Sequence, residues 1–202
     1  SYNSTYSQDI KSPSEFLGFE LGTQFSRHNQ VLDYFKYVSS EFPNQVVLEK
    51  YGETNERRPL YVTYISSVEN IKNIENIRVN NLKHAGIIDG DGDTSNNTAI
   101  VWLSYNVHGN ESSSTEAAMK TLYKLVTDNN DWLDNTMVIL DPCINPDGRD
   151  RYANWFNQNA TIPLNTDPNT REHNEPWPGG RANHYLFDLN RDWAWVTQKE
   201  SR

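Results

Sequence analysis

His108 and Glu111 stand three residues apart with Gly109 between them, on a turn that links an apolar strand-like run (Ala99, Ile100, Val101, Trp102, Leu103) to a helix-like run (Ala117, Ala118, Leu122, Leu125, Val126). Such a turn can aim an imidazole nitrogen and a carboxylate oxygen at one point, as a zinc ion requires of ligands at ~2.0–2.2 Å. A catalytic zinc usually takes three protein ligands and a water, so the pair is an incomplete site. Taken alone, His-x-x-Glu is weak, because an isolated histidine is more often a hydrogen-bonded surface or core residue. Its place at the carboxyl end of a predicted strand adds weight, since open α/β sheets bind their ligands there.

The elements that must position this turn are read from periodicity. Val31, Leu32, Phe35 and Val38 form one helical face that ends near Pro43. Val46–Tyr51 and Leu60–Ile65 read as strands joined by a polar loop, and Ile71, Ile74, Ile77 and Leu82 mark a second amphipathic helix. A strand over 99–105, a helix over 114–127 and a strand Met137–Asp141 complete a β-α-β pattern, typical of a sheet covered on its faces. Residues 1–27 read as an extended lead-in whose aromatics dock on the body. Asp89–Asp93 alternates carboxylates with glycine; the remaining ligands of a calcium loop do not follow, so a solvated turn is expected. After Asp141 the chain reads as irregular for roughly 45 residues, a length that in a compact domain is usually functional.

Composition excludes several classes. The 202 residues carry a net charge of −9, which argues against a nucleic-acid partner. Nothing approaches ~18 consecutive apolar residues, so no membrane span is expected. Aromatic content of 12% argues against disorder over most of the length. The lone Cys143 makes no internal disulfide and reads as a small buried apolar residue. The acidic, Asn-rich chain opens on Ser1 without Met, which points to an exported bacterial protein, secreted or periplasmic.

Two further segments extend the case. Asn145-Pro146-Asp147-Gly148 follows the strand ending at Asp141, and Asp188-Leu189-Asn190-Arg191 lies some forty residues on. With His108-Gly109-Asn110-Glu111, in this order, they resemble the zinc carboxypeptidase family, metallocarboxypeptidases that remove C-terminal residues from peptides. The resemblance runs from about residue 14 to the end of the chain. It implies an α/β fold, a three-layer α/β/α sandwich around a mixed, largely parallel sheet, here truncated at the C-terminus, with 28–202 as the N-terminal portion of a single catalytic domain.

By resemblance, His108 and Glu111 take the places of two zinc ligands, and Asp188 that of a carboxylate orienting the histidine. Asn190 and Arg191 match the pair that grips the substrate's terminal carboxylate, a role suited to a guanidinium fork. Arg181 matches the oxyanion-stabilising arginine, with Arg151 as the alternative. The implied cofactor is one zinc ion in the intact enzyme, and the implied partner a peptide with a free C-terminal carboxylate. The third ligand and the general-base glutamate fall later in the family pattern. Only eleven residues follow Arg191, none is a histidine, and Glu200 is too near the end for that base. The chain alone is therefore expected to be inactive and to bind zinc weakly or not at all.

Asn110 departs from digestive-type members, which carry arginine just before the glutamate. The aspartoacylase-like deacylases share His-Gly-Asn-Glu and Asp-Leu-Asn-Arg, so an N-acyl amino acid deacylase stays open, as does a non-catalytic carboxylate-binding domain. Other polar residues read more plainly. His28, His84, His173 and His184 read as surface histidines, and Glu116 as a first-turn carboxylate facing the helix dipole. Trp132, Trp155, Trp177, Trp193 and Trp195 read as loop-pinning aromatics.

Overall fold

The computed structural model describes residues 10–95, 98–128 and 131–202; the first nine residues of the expected lead-in lie outside it. The lead-in is not extended throughout. Helix α1 (Pro13–Leu17) opens with a reciprocal cap, in which the Ser12 hydroxyl accepts from the Glu15 N–H and the Glu15 carboxylate accepts from the Ser12 N–H. Ser-Pro-Ser-Glu is thus a helix start. The docking of its aromatics is observed: Phe16 packs on the rings of Tyr34 and Tyr37, and Phe25 on those of Tyr152 and Phe156.

Helix α2 (His28–Glu41) buries Val31, Leu32, Phe35 and Val38, the predicted face, and stops before Pro43. Strands β1 (Val46–Glu53) and β2 (Pro59–Ile65) follow. The expected second helix is two: α3 (Val68–Lys72) and α4 (Ile74–His84). They are split at Asn73, whose N–H turns back to the carbonyls of Glu69 and Asn70. Strand β3 (Ala99–Ser104), helix α5 (Ser113–Thr127) and strand β4 (Thr136–Asp141) match the β-α-β reading.

The segment after Asp141 corrects the expectation of a long irregular stretch. Helix α6 (Pro146–Asn159) begins at once, with Pro146 in its first turn and the Asn145 side chain accepting from the Gly148 N–H. Asn, Pro and Gly, read as loop formers, here build a cap. The rest of the segment has only short helical turns at Arg171–His173, Leu189–Arg191 and Lys199–Ser201.

The four strands form one mixed sheet in the order β1-β2-β4-β3. It is less parallel than expected, since β1–β2 and β2–β4 are antiparallel and only β3–β4 is parallel. Alternation along the strands puts Val46, Ile65, Val138 and Leu140 on one face. There they join Val31, Phe35 and Val38 of α2 and Ala118, Met119 and Leu122 of α5 in one core. Each fully buried Val, Leu, Ile, Phe or Met side chain there contributes about 1.5–3 kcal/mol. The opposite face carries Val62, Tyr64, Trp102 and Ile139, which with Trp193 and Arg202 line a cavity of about 280 Å³. The parallel β3–β4 pair sends two adjacent strand ends, Ser104 and Asp141, to the same edge, and the candidate site is built beyond them.

Candidate active site

Beyond β3 the chain turns through Asn106, whose φ of +56° is tolerated best by Asn after Gly. The buried Asn106 amide donates to the carbonyls of His108 (2.9 Å) and Glu111 (3.2 Å), so the turn is tied from within. A second buried amide joins this turn to the other two segments. Asn145 Nδ2 donates to the carbonyls of Val107 (3.3 Å) and Arg181 (3.0 Å), while its oxygen caps α6. Gly109, Gly148 and Gly180 meet backbone to backbone at this junction. A methyl group on Gly109 would overlap Gly148, the Arg149 nitrogen and the Gly180 carbonyl, so the close approach requires glycine.

The junction brings His108 between two carboxylates. Its Nδ1 lies 2.8 Å from Glu111 Oε1 and its Nε2 lies 2.9 Å from Asp188 Oδ1. The imidazole is nearly buried, at 9% exposed, whereas the Glu111 side chain is 62% exposed. Arg181 Nε and Nη2 donate to the other Asp188 oxygen at 3.2 and 3.0 Å. Burial works against the Asp188 charge, but the hydrogen bonds from His108 and Arg181 outweigh it and hold the carboxyl below its ordinary range. His108, Glu111, Asp188 and Arg181 are therefore one connected group.

Asn190 and Arg191 share the short helical turn that Asp188 caps, with the Asp188 carboxylate accepting from the Asn190 N–H. Both are exposed, and neither side chain hydrogen-bonds to the His108 group among the described residues. The Asn190 oxygen accepts from the Trp193 indole at 3.2 Å, and among the described residues the Arg191 guanidinium reaches only the Asn190 carbonyl. Arg151 is occupied elsewhere. Its guanidinium donates to the carbonyls of Gly179, Ala182 and Asn183 and lies 3.7 Å from Glu56, so it pins the 179–183 loop.

The donor set fits zinc. A neutral imidazole carries one N–H, and His108 faces an acceptor on each nitrogen, so a second proton or a metal cation must fill one contact. With Nε2–H bonded to Asp188, the Nδ1 lone pair would face the Glu111 carboxylate 2.8 Å away, and these two atoms would be the nitrogen and oxygen donors to a zinc ion. The one group of three metal-ligating side chains whose ligand atoms all lie within 4.8 Å, among the described residues, is a different one: Glu56, Asp147 and His184. Arg58 Nη1 already lies 2.5 Å from Glu56 and 2.8 Å from Asp147, so a guanidinium holds the place a cation would take. The Asp89–Asp93 run contributes no such group. The Asp93 carboxylate accepts instead from the Ser95 amide and hydroxyl.

Three assignments change. His28 is a buried histidine whose Nε2 lies 2.8 Å from the Pro59 carbonyl, and burial pulls its pKa down. Glu116 faces more than a helix dipole: both of its oxygens accept from Nη2 of the fully buried Arg149. Arg149 also donates to the carbonyls of Ser26 and Ser112, joining the lead-in to the residue after Glu111. The tryptophans do not all pin loops, since Trp132, Trp177 and Trp195 are each about three-quarters or more exposed. Cys143 is buried as expected, which raises its thiol pKa well above the ordinary value. The sequence motifs give Asn106 no role, contain Asn145 without identifying it as a cap, and leave the Arg149–Glu116 pairing unseen. Asn before Pro at a helix start is a cap signal that identifies Asn145; nothing in the spacing of Arg149 and Glu116 announces their pairing.

Comparison with known proteins gives the family and the fold. The family model for zinc carboxypeptidase matches residues 31–202. The chain is similar in fold to a metallo-carboxypeptidase from Burkholderia cenocepacia, with 18% identity over 88% of this chain and 36% of that one, at a TM-score of 0.51. It is also similar to a Shewanella denitrificans protein assigned as a carboxypeptidase A, with 19% identity over 89% of this chain and 34% of that one, at a TM-score of 0.50. The chain thus spans about a third of the length of these structures. A search of curated proteins returns no match. Among the described residues no helix is long and apolar enough to cross a membrane. The chain belongs to the zinc carboxypeptidase family.

Proposed function

We propose that this chain carries the N-terminal portion of a zinc-dependent carboxypeptidase domain, and that the parent protein is exported and hydrolyses C-terminal peptide bonds. The observation that carries the reading is His108 held between Glu111 and Asp188, with Arg181 on the far Asp188 oxygen. His108 and Glu111 would hold the metal, and Asp188 would fix the imidazole tautomer. Zinc bound there supplies a lowered pKa for its water, toward ~7, and polarisation of the scissile carbonyl.

The remaining chemistry falls to the protein. Arg191, exposed and lightly bonded, receives the substrate's carboxylate in two parallel charge-assisted bonds, and the Asn190 amide adds a donor. Arg181, half-exposed at 48%, swings from Asp188 to the carbonyl oxygen as negative charge develops there. Losing such a donor typically costs ~10²–10³ in rate. The third ligand and the general base are assigned to the part of the protein beyond this chain.

The test is hydrolysis of a blocked dipeptide by the full-length protein and by the 202-residue chain. The full-length protein should cleave the free-acid peptide and spare its C-terminal amide. It should lose activity to a chelator and regain it with zinc. The 202-residue chain should be inactive. Full activity in the short chain overturns the assignment of the missing groups, and faster hydrolysis of N-acyl amino acids than of peptides moves the reading to a deacylase.

A further inference from the structure

Asn110, where digestive-type members carry a cation, here donates its amide to Glu175 Oε1 at 2.5 Å. The other Glu175 oxygen accepts from the Gly180 N–H at 3.0 Å. Gly179, at φ +67°, lies so close that an added methyl would stand 3.1 Å from the carboxylate. The loop is therefore wrapped around this carboxylate. Both of its partners are neutral, and no Lys, Arg or His lies within ion-pair distance of it among the described residues. The carboxylate is thus held in place by neutral donors.

Glu175 lines a cavity of about 70 Å³ together with Tyr152, Trp155, Trp177 and Arg151. The cavity is open to solvent on one side, so the end of a long side chain can enter it. The rings of Tyr152 and Trp155, both lining the cavity, are 5.6 Å apart. Aromatic faces beside a carboxylate form the chemistry that binds an ammonium or guanidinium group, at ~0.5–2 kcal/mol for the ring term. Arg151 also lines the cavity, but its guanidinium is turned to three loop carbonyls and Glu56 and makes no ion pair with Glu175 among the described residues.

The cavity adjoins the candidate site, because Gly180 lines it and packs on Gly148 and Asn110. Along the contacts, Glu175 reaches the site through Asn110, next to Glu111, whereas Asn190 and Arg191 reach it through Asp188 on the opposite nitrogen of His108. We propose that Glu175, Tyr152, Trp155 and Trp177 form a specificity subsite for a basic side chain on the amino side of the scissile bond, so that the substrates are peptides carrying a lysine-like or arginine-like group there. The proposal rests on the carboxypeptidase reading and names its substrate class.

The test compares hydrolysis of N-acetyl-Lys-Ala, N-acetyl-norleucyl-Ala and N-acetyl-Glu-Ala by the full-length protein. Norleucine keeps the length of lysine and removes its charge. The Lys peptide should exceed the norleucine peptide about tenfold in kcat/KM, with the Glu peptide poorest. Glu175→Gln should bring the Lys-to-norleucine ratio close to one, and Trp177→Ala, at an exposed position, should lower it. A wild-type ratio near one, or a ratio that survives Glu175→Gln, overturns the subsite. If no peptide is cleaved, the carboxypeptidase reading fails, and calorimetric binding of the same peptides decides the subsite separately. Preference for Lys that Glu175→Gln abolishes supports it, and equal or absent binding overturns it.

Discussion

His108 and Asp188 are 80 positions apart in the chain and 2.9 Å apart in space, joined ring nitrogen to carboxylate oxygen. The bond fixes which imidazole nitrogen is left to face Glu111, so the two ends of the described site depend on one contact. In the full-length protein, Asp188→Asn should lower zinc affinity about 10–100-fold, read by competition with a chelator of known affinity. The amide keeps the shape and loses the charge. Unchanged affinity would show that Asp188 does not serve the metal.

The glycine junction behind His108 has no slack. Gly109→Ala places a methyl against the backbone of Gly148 and Gly180, neither of which is the end of a flexible side chain. Overpacking of this kind costs about 1–3 kcal/mol or more. Denaturant unfolding should show the loss, whereas Gly22→Ala, strained by its φ of +94° but meeting nothing, should leave the His108 turn intact. Equal zinc affinity in the Gly109 variant and the parent would contradict the role assigned to the junction.

Arg149 and Glu116 form a pair with side-chain exposures of 0% and 5%. Arg149→Met alone leaves the Glu116 charge buried, and should cost about 3–5 kcal/mol. Arg149→Met with Glu116→Leu should recover the part of that loss that comes from the unpaired charge, while the Ser26 and Ser112 carbonyls still lack their donor. A double-mutant cycle followed by urea unfolding measures the difference. Additive losses would mean the two residues act independently.

Much of the fold could be read from periodicity, and the reasons for the rest are physical. The face of α2 repeats Val31, Leu32, Phe35 and Val38 cleanly because one side of that helix is core. Helix α6 escaped because its first residues, Asn145, Pro146 and Gly148, belong equally to loops and to helix starts; only the cap hydrogen bond distinguishes them. The parallel character of the sheet was overestimated because pairing direction depends on partners far along the chain: β2 lies beside β4, some seventy positions later. The closeness of His108 and Glu111 was legible because the two stand three positions apart on one tight turn. Glu175 was not, because its meaning comes from Asn110, 65 positions away.

Asp141 gives the chain a pH dependence of known sign. Burial pushes its carboxyl up to about 7, offset in part by hydrogen bonds from Tyr51 and the Cys143 N–H. An unfolded aspartate titrates near ~3.9, so the folded state binds this proton more tightly. The resulting stability is full below about pH 4 and is lost as pH rises through about 7. Asp141→Asn should flatten the fall in unfolding free energy between roughly pH 4 and 7. The same slope in the variant would assign that dependence to other groups.

The most direct measurement is the position of zinc in crystals of the zinc-loaded full-length protein, located by anomalous scattering at the zinc edge. A single strong peak is expected ~2.0–2.2 Å from His108 Nδ1 and from a Glu111 carboxylate oxygen, with Asp188 still on Nε2. A peak among Glu56, Asp147 and His184, or none near His108, would contradict it.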